Sequence, residues 1–589
     1  MKLKLFLVLV LFSSAFAQNQ GSKPRSIFMA EPESDSITTF SSKHGLSAST
    51  LPGSSVTLND KPLKVYSSGA FTGQLDLQPG ENHFTIKSVT PSGETITRSF
   101  TIFRKKRLET TPKDSLVIED AMMEPSRDMW FDGGDVLFIR FKGTPGCKAY
   151  FGNGAGNFNP MREMPLSETG GLGGVYQYTY KVKPTDMVAP LAIQFKLEDE
   201  NGKSVTKSSK ATISMMGEKF PILGVTKGER PYLNFGLGED RLGGAKMGFL
   251  VPGVKVKING KAGNQYRVQL SDKKQAWIPE DQIDTLPSGT YLPTALTGSW
   301  GVYGDEKYDY VTVDINEKLP FTSEQDPQNK RIIIDVYGAV SNSNWITQHL
   351  TTKEIKNVYY EQPEKDVFRI IIELKHKQLW GYNIDYRGGT LIIKVKRQPK
   401  DLDFENLTFA IDAGHGGPNL GAVGATGSEE KAINLSTVYH LKELLEKKGA
   451  KVVLTRKDDS SVNNGERLRG VLNSGADILI SIHSNATGSS SDPGLVKGIS
   501  TYYKYIGFRP LSTFIYDEVL KTGLQPFGNV GSFNFTLNSA TELPSVLVEL
   551  AFMSNPEDEM KLMDDEFRQE LAEKIVKGVQ KFLDYCDED

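Results

Sequence analysis

Cysteine is nearly missing from this chain, with two in 589 residues, Cys147 and Cys586. That scarcity excludes a disulfide-dense scaffold and any four-cysteine metal site. The two thiols lie far apart in the sequence and are expected to stay unpaired. Charge of one sign is not in surplus either: 69 basic side chains face 72 acidic ones, for a formal net charge of -3. Proteins that coat nucleic acid carry a basic excess, so no nucleic-acid partner is expected. Past residue 17, no segment is apolar over the roughly 20 residues that a bilayer span needs. The 38% hydrophobic and 24% charged content is that of ordinary globular proteins and argues against a largely disordered chain.

The first 17 residues are different. Lys2 and Lys4 precede an unbroken apolar run, Leu5 to Phe12, and Ala15-Phe16-Ala17 supplies a small-x-small cleavage pattern. This reads as a signal peptide, 1–17, removed on export. Gln18 rather than a cysteine follows the cut, so no lipid anchor is expected. The mature protein is predicted to be exported, to the periplasm or cell envelope, with no membrane anchor after cleavage.

The pattern predicts a multidomain protein: several all-β N-terminal domains, then a C-terminal α/β domain with a mostly parallel sheet. Short Val-, Ile-, Tyr- and Phe-rich stretches between Gly, Pro, Asn and Asp clusters mark the β part. A β-sandwich module is placed at 27–105, where Pro79-Gly80-Glu81-Asn82 turns into His83-Phe84-Thr85-Ile86. The charged stretch Arg104 to Lys113 is a linker. A second β-sandwich module spans 115–215, with strands at Asp135–Phe141 and Ala192–Leu197 and a Gly-rich turn, not a phosphate cradle, at Gly170–Gly174. A third unit, 217–286, resembles an SH3-like β-barrel through its late Ala276-Trp277-Ile278 strand. In it, Asn259-Gly260 is predicted to form a hairpin turn. A β domain follows at 290–397; its Trp345 and Trp380 suit either a core or stacking on sugar rings.

From about residue 405 apolar strands alternate with helix-length amphipathic segments, which predicts an α/β domain over 405–587. Strands are expected at Leu407–Ile411, Lys451–Thr455, Ala476–Ile482 and Ser545–Leu550. Helices are expected at Glu430–Lys448, closed by Gly449, and at Glu566–Asp584. His415 and His483 fall just past two of these strands and Glu549 near the end of a third. Glu430 opens a helix after a polar loop. Ligands and catalytic groups collect beyond the carboxyl ends of strands in such sheets, so the four can meet at one edge. Two histidines and a carboxylate form a recurrent catalytic zinc set that leaves a position open. Glu549 interrupts Val546-Leu547-Val548 and Leu550-Ala551-Phe552, where an unpaired carboxylate is costly.

Residues 407–584 resemble the zinc-dependent N-acetylmuramoyl-L-alanine amidase family. The matching stretches, in order, are Ile411-Asp412-Ala413-Gly414-His415-Gly416-Gly417, Glu430-Lys431-Ala432-Ile433-Asn434-Leu435, Leu454-Thr455-Arg456, Ser481-Ile482-His483-Ser484-Asn485-Ala486, Pro544-Ser545-Val546-Leu547-Val548-Glu549 and Phe552-Met553-Ser554-Asn555-Pro556. The resemblance implies that His415, Glu430 and His483 bind Zn2+ and that Glu549 is the catalytic carboxylate. The implied substrate is peptidoglycan, cut at the amide joining N-acetylmuramic acid to L-alanine. The β domain at 290–397 looks like the small wall-targeting domain that precedes such catalytic domains. Two positions depart from the family pattern: Asn538 stands where an arginine is frequent, and Leu550 and Ala551 stand where a glycine is common.

Two other readings keep the same residues. One is a zinc peptidase acting on stem peptides; the other is an inactive wall-binding protein. The sequence is silent on a protein activator, and the active site is expected to be open unless the β modules cover it.

Overall fold

The alternating stretches fold as strands up to residue 396, ahead of an α/β unit, in a computed structural model that describes residues 26–153 and 156–588. The predicted signal peptide lies outside the described residues. In the first module a three-stranded and a five-stranded sheet enclose one core that includes Leu46, Phe71, Ile86 and Ile102.

The second and third units are not separate in their hydrogen bonding. The short strand Met129–Phe131 pairs parallel with Ser204–Met215 and antiparallel with Lys255–Ala262, which stitches both units into one 14-stranded sheet. Within it, the predicted turn at Asn259-Gly260 is corrected. The strand runs through both residues with a bulge, and the chain reverses at Gly263-Asn264. Tertiary contacts override the local preference. Arg267 donates to the Asn259 carbonyl at 2.6 Å and to its side chain at 3.0 Å, and its guanidinium also pairs with Asp135 at 2.6 Å. A Cβ on Gly260 would press against that guanidinium. The predicted Gly-rich turn at 170–174 is irregular backbone, with Gly170, Gly171 and Gly174 at positive φ.

The fourth unit carries a five-stranded and a four-stranded sheet, and its apolar core is continuous with that of the third. Trp380 is 1% exposed, lies 5.9 Å from the Phe582 ring and donates to Gln398, so it is a core residue and not a sugar platform; Trp345 is 65% exposed. Beside Trp380 the unit docks on the C-terminal domain. Tyr382 N donates to Thr541 O at 2.7 Å, and Lys396 pairs with Asp477 at 2.8 Å. Gly381, at φ +123°, passes so close that a Cβ would collide with the Glu542 carbonyl. Gly381→Ala is therefore expected to loosen this docking while each core persists. Limited proteolysis across 398–404 reads it as cleavage faster than in the parent chain.

In the C-terminal domain four strands run parallel in the order Lys451–Leu454, Thr408–Ala413, Ile478–Asn485, Ser545–Phe552. Ile499–Tyr502 then joins antiparallel and Pro526–Val530 closes the sheet. Helices Glu430–Lys447, Arg509–Val519 and Asp565–Asp587 seal an apolar core around Phe409, Ile480 and Val548. Two strands run longer than their apolar runs predict. Ladder pairing continues to His483 opposite Glu549 and on to Asn485 opposite Phe552, so His483 sits inside its strand rather than past it, and Glu549 lies within its strand as expected. Cys147 and Cys586 form no disulfide. Among the described residues no helix is long and apolar enough to cross a membrane.

Candidate metal centre

The glycines after Ala413 let the chain leave its strand sharply. His415 itself takes φ 63°, a left-handed conformation that a histidine adopts only where its surroundings hold it. A Cβ on Gly414 would enter the His483 ring, and one on Gly421 would press on both Glu430 and His415. The backbone is thus wrapped tightly round three side chains. His415 Nε2 lies 3.2 Å and His483 Nδ1 3.1 Å from Glu430 Oε1, and the two imidazoles meet edge to face at 4.9 Å. One ligand atom from each of the three lies within 4.8 Å of the others. His483 Nε2 is buried without a hydrogen-bond partner. Two imidazole nitrogens and a carboxylate oxygen brought this close in a largely buried site form a donor set that a cation can bridge. The donors suit zinc.

The surrounding groups fix these three side chains. Asn419 Oδ1 lies 3.0 Å from His415 Nδ1. Glu430 accepts from Ala422 N at 2.8 Å, Ser484 N at 3.0 Å and Asn434 Nδ2 at 3.1 Å. Beneath them Arg467 pairs with Asp412 at 2.8 Å, both buried, and donates to the His415 carbonyl at 2.6 Å. Asp412 also accepts from Ser481 and Thr455 hydroxyls, each at 2.6 Å. Burial alone would raise Asp412, but Arg467, His483 and these hydroxyls hold it below the usual carboxylate range. Such orienting partners tune a metal site as the ligands themselves do. Arg467→Ala leaves Asp412 buried and unpaired, a loss of about 3–5 kcal/mol. It is expected to weaken zinc affinity at least tenfold, measured by competition with a chromogenic chelator.

Burial works against a protonated His483, yet the hydrogen bond and charge of Glu430, with Glu549 and Asp412, push it up to about 9. Those same histidines hold Glu430 far below its usual value despite its burial. A metal ligand must be a neutral imidazole. Zinc uptake near pH 7.5 should therefore release about one proton from His483, and affinity should rise with pH up to about 9. Calorimetry in buffers of different ionisation enthalpy counts that proton.

Glu549 stands opposite His483 on the next strand, partly exposed, with Oε2 buried and without a hydrogen-bond partner. Burial, reinforced by Glu430 and opposed by His483 and Arg241, pushes it up to about 7. Three of the four predicted site residues therefore converge, and Glu549 stands apart from them on the neighbouring strand, opposite His483. Asn538 is buried and holds the Tyr502 carbonyl at 3.2 Å. His440, on the outer part of the Glu430–Lys447 helix, pairs with Asp565 at 3.1 Å, away from the site. Arg467 is the residue that sequence reading missed. In Glu466-Arg467-Leu468-Arg469 it looks like one more exposed charge, although it shares a helix face with buried Leu468 and Val471.

The site is not isolated. A cleft of about 690 Å³ separates the first module, at Phe28 and Gly45, from the loop 418–423 beside His415. That module is held there by Gly45 N donating to Ser489 O at 2.7 Å.

Residues 409–581 match the family model described as N-acetylmuramoyl-L-alanine amidase. The protein YqiI of Bacillus subtilis (strain 168) is 34% identical over 180 residues, which are 31% of this chain and 86% of that protein. This chain belongs to the N-acetylmuramoyl-L-alanine amidase family. The probable cell wall amidase LytH of Staphylococcus aureus is 35% identical over 207 residues, 35% of this chain and 65% of LytH, so the chain spans just under two thirds of that relative. The catalytic domain of the amidase CwlV from Bacillus (Paenibacillus) polymyxa var. colistinus is 31% identical over 30% of this chain and 98% of that domain, with a TM-score of 0.29. The amidase domain thus occupies the C-terminal third of a mostly β chain, and its enzyme class is that of the family.

Proposed function

We propose that the protein is an exported, zinc-dependent amidase that cuts peptidoglycan between N-acetylmuramic acid and L-alanine, in wall remodelling or daughter-cell separation. The observation that carries this reading is the triad of His415, Glu430 and His483, the last two buried, with Glu549 one strand away. The three would hold the zinc ion. A zinc ion there supplies Lewis-acid polarisation of the amide carbonyl and acidification of water. Asn419, Asn434 and Arg467 keep the triad aimed. Glu549 Oε2 takes a proton from the attacking water and delivers one to the departing amine nitrogen, as base and then acid. The β units are read as modules that set the amidase domain on the wall: two sandwiches at 27–105 and 115–215, an SH3-like barrel at 217–286, and a wall-targeting domain at 290–397.

The test is dye release from labelled peptidoglycan by the mature protein. Activity lost on chelation and restored by one equivalent of zinc supports the proposal. Activity that withstands chelation with the metal shown to be gone would overturn the zinc assignment.

A further inference from the structure

The third unit does not end at its own core. Its hairpin Tyr232–Asp240 and Gly243–Phe249 reaches the amidase domain, where Asn534 Nδ2 donates to Gly244 O at 2.6 Å. Lys504 Nζ donates to the same Asn534 side chain at 2.7 Å and lies 5.4 Å from the Phe249 ring, so the hairpin is clamped at two points. The clamped loop carries Phe535, whose ring meets His483 edge to face at 5.6 Å, and Phe533, which packs on Tyr502 at 4.5 Å. Three residues before Gly244, at the hairpin tip, Arg241 is exposed. Among the described residues nothing forms an ion pair or hydrogen bond with its guanidinium; the neighbouring Asp240 carboxylate instead accepts from Leu242 N. Its charge is nevertheless felt by Glu549 and by Tyr502, which lie on adjacent strands of the amidase sheet. A module more than 150 residues upstream thus brings an exposed guanidinium, without an ion pair of its own among the described residues, to the hairpin tip beside the Asn534–Phe535 loop.

Resting on the function proposed above, we infer that Arg241 anchors a carboxylate of the peptide part of the substrate beside the Glu549–His483 site. The chemistry fits. A guanidinium offers a planar pair of donors matched to a carboxylate, and such charge-assisted pairs are the strong ones. The stem peptide carries carboxylates just beyond its L-alanine, and no other part of the muramoyl-alanine unit is anionic once that amide is formed. The third unit is then part of the specificity apparatus. Substrates whose nearest carboxylate is amidated lose the contact.

The test uses the full mature chain in a Glu549→Gln background, so that ligands bind without being cut. Its two probes are N-acetylmuramoyl-L-alanyl-D-glutamate and the corresponding isoglutamine amide, titrated by calorimetry with Arg241 present, as Arg241→Ala and as Arg241→Lys. The acid should bind roughly tenfold or more tighter than the amide when Arg241 is present. That preference should vanish in Arg241→Ala and be partly kept in Arg241→Lys, with zinc content unchanged. Equal preference with and without Arg241, or no binding of either probe, would overturn the inference. In the active enzyme Arg241→Ala should raise KM for the acid substrate and leave KM for the amide in place. A shifted kcat profile with intact discrimination would make Arg241 a tuner of Glu549 and contradict substrate anchoring. An Arg241-dependent preference in a protein that releases nothing from peptidoglycan would sink the proposed function and leave the anchoring role standing.

Discussion

Glu549→Ala abolishes amide hydrolysis, a loss of roughly 10²–10⁴-fold, while one zinc per chain stays bound. The separation follows from the geometry. The three side chains that converge are His415, Glu430 and His483, and Glu549 stands apart from them on the neighbouring strand. Its Oε2 makes no hydrogen bond that the variant would break. Removing it should therefore help the fold of the metal-free protein. The folded-state pKa of Glu549 is raised, to about 7 from an ordinary carboxylate value of 4.5. A raised pKa contributes stability that is full below the unfolded value and is lost as pH rises through the folded one. Metal-free Glu549→Gln should consequently melt higher than the parent at pH 8 and no higher at pH 4. Metal analysis beside the activity assay decides the catalytic claim. Loss of zinc together with activity would make Glu549 a ligand or a structural residue instead of the base.

Glu430→Gln should do the opposite and lose metal and activity together. The substitution keeps the volume but removes the charge that two imidazoles face at 3.1 and 3.2 Å. It also puts an amide N–H2 where the carboxylate now accepts from Ala422 N on one oxygen and Ser484 N and Asn434 Nδ2 on the other. Whichever way the amide turns, donors face donors in a buried site, at about 1–3 kcal/mol each. We expect zinc affinity to fall at least a hundredfold and hydrolysis to fall below detection, with the Asp565–Asp587 helix still formed by circular dichroism. The Gln variants at 430 and 549 make a pair: zinc is lost in one and kept in the other.

Three of the four candidate site residues break a local pattern, and the ordered family-like motifs, with His483 among them, join the four into one set. Glu549 interrupts an apolar run, His415 sits among glycines, and Glu430 opens a helix whose next turns are apolar. The partner beneath them was harder to see, since Arg467 acts through a contact 52 residues away in the chain. Local turn preference failed at Asn259-Gly260, where Arg267 and Asp135 hold the strand straight. The union of the second and third units escaped because it depends on only three residues, Met129–Phe131, too short to show a period. The approach of the Tyr232–Phe249 hairpin could not be read from its residues at all. It is fixed by how two units dock, and its key hydrogen bond joins Asn534 to Gly244 across 290 residues.

Mass spectrometry of the fragments that the mature protein releases from purified peptidoglycan tests the central claim most directly, run with and without chelator. The account predicts free stem peptides that begin with L-alanine, absent after chelation and restored by zinc. Shortened stem peptides, with the sugar-linked L-alanine still in place, would contradict it.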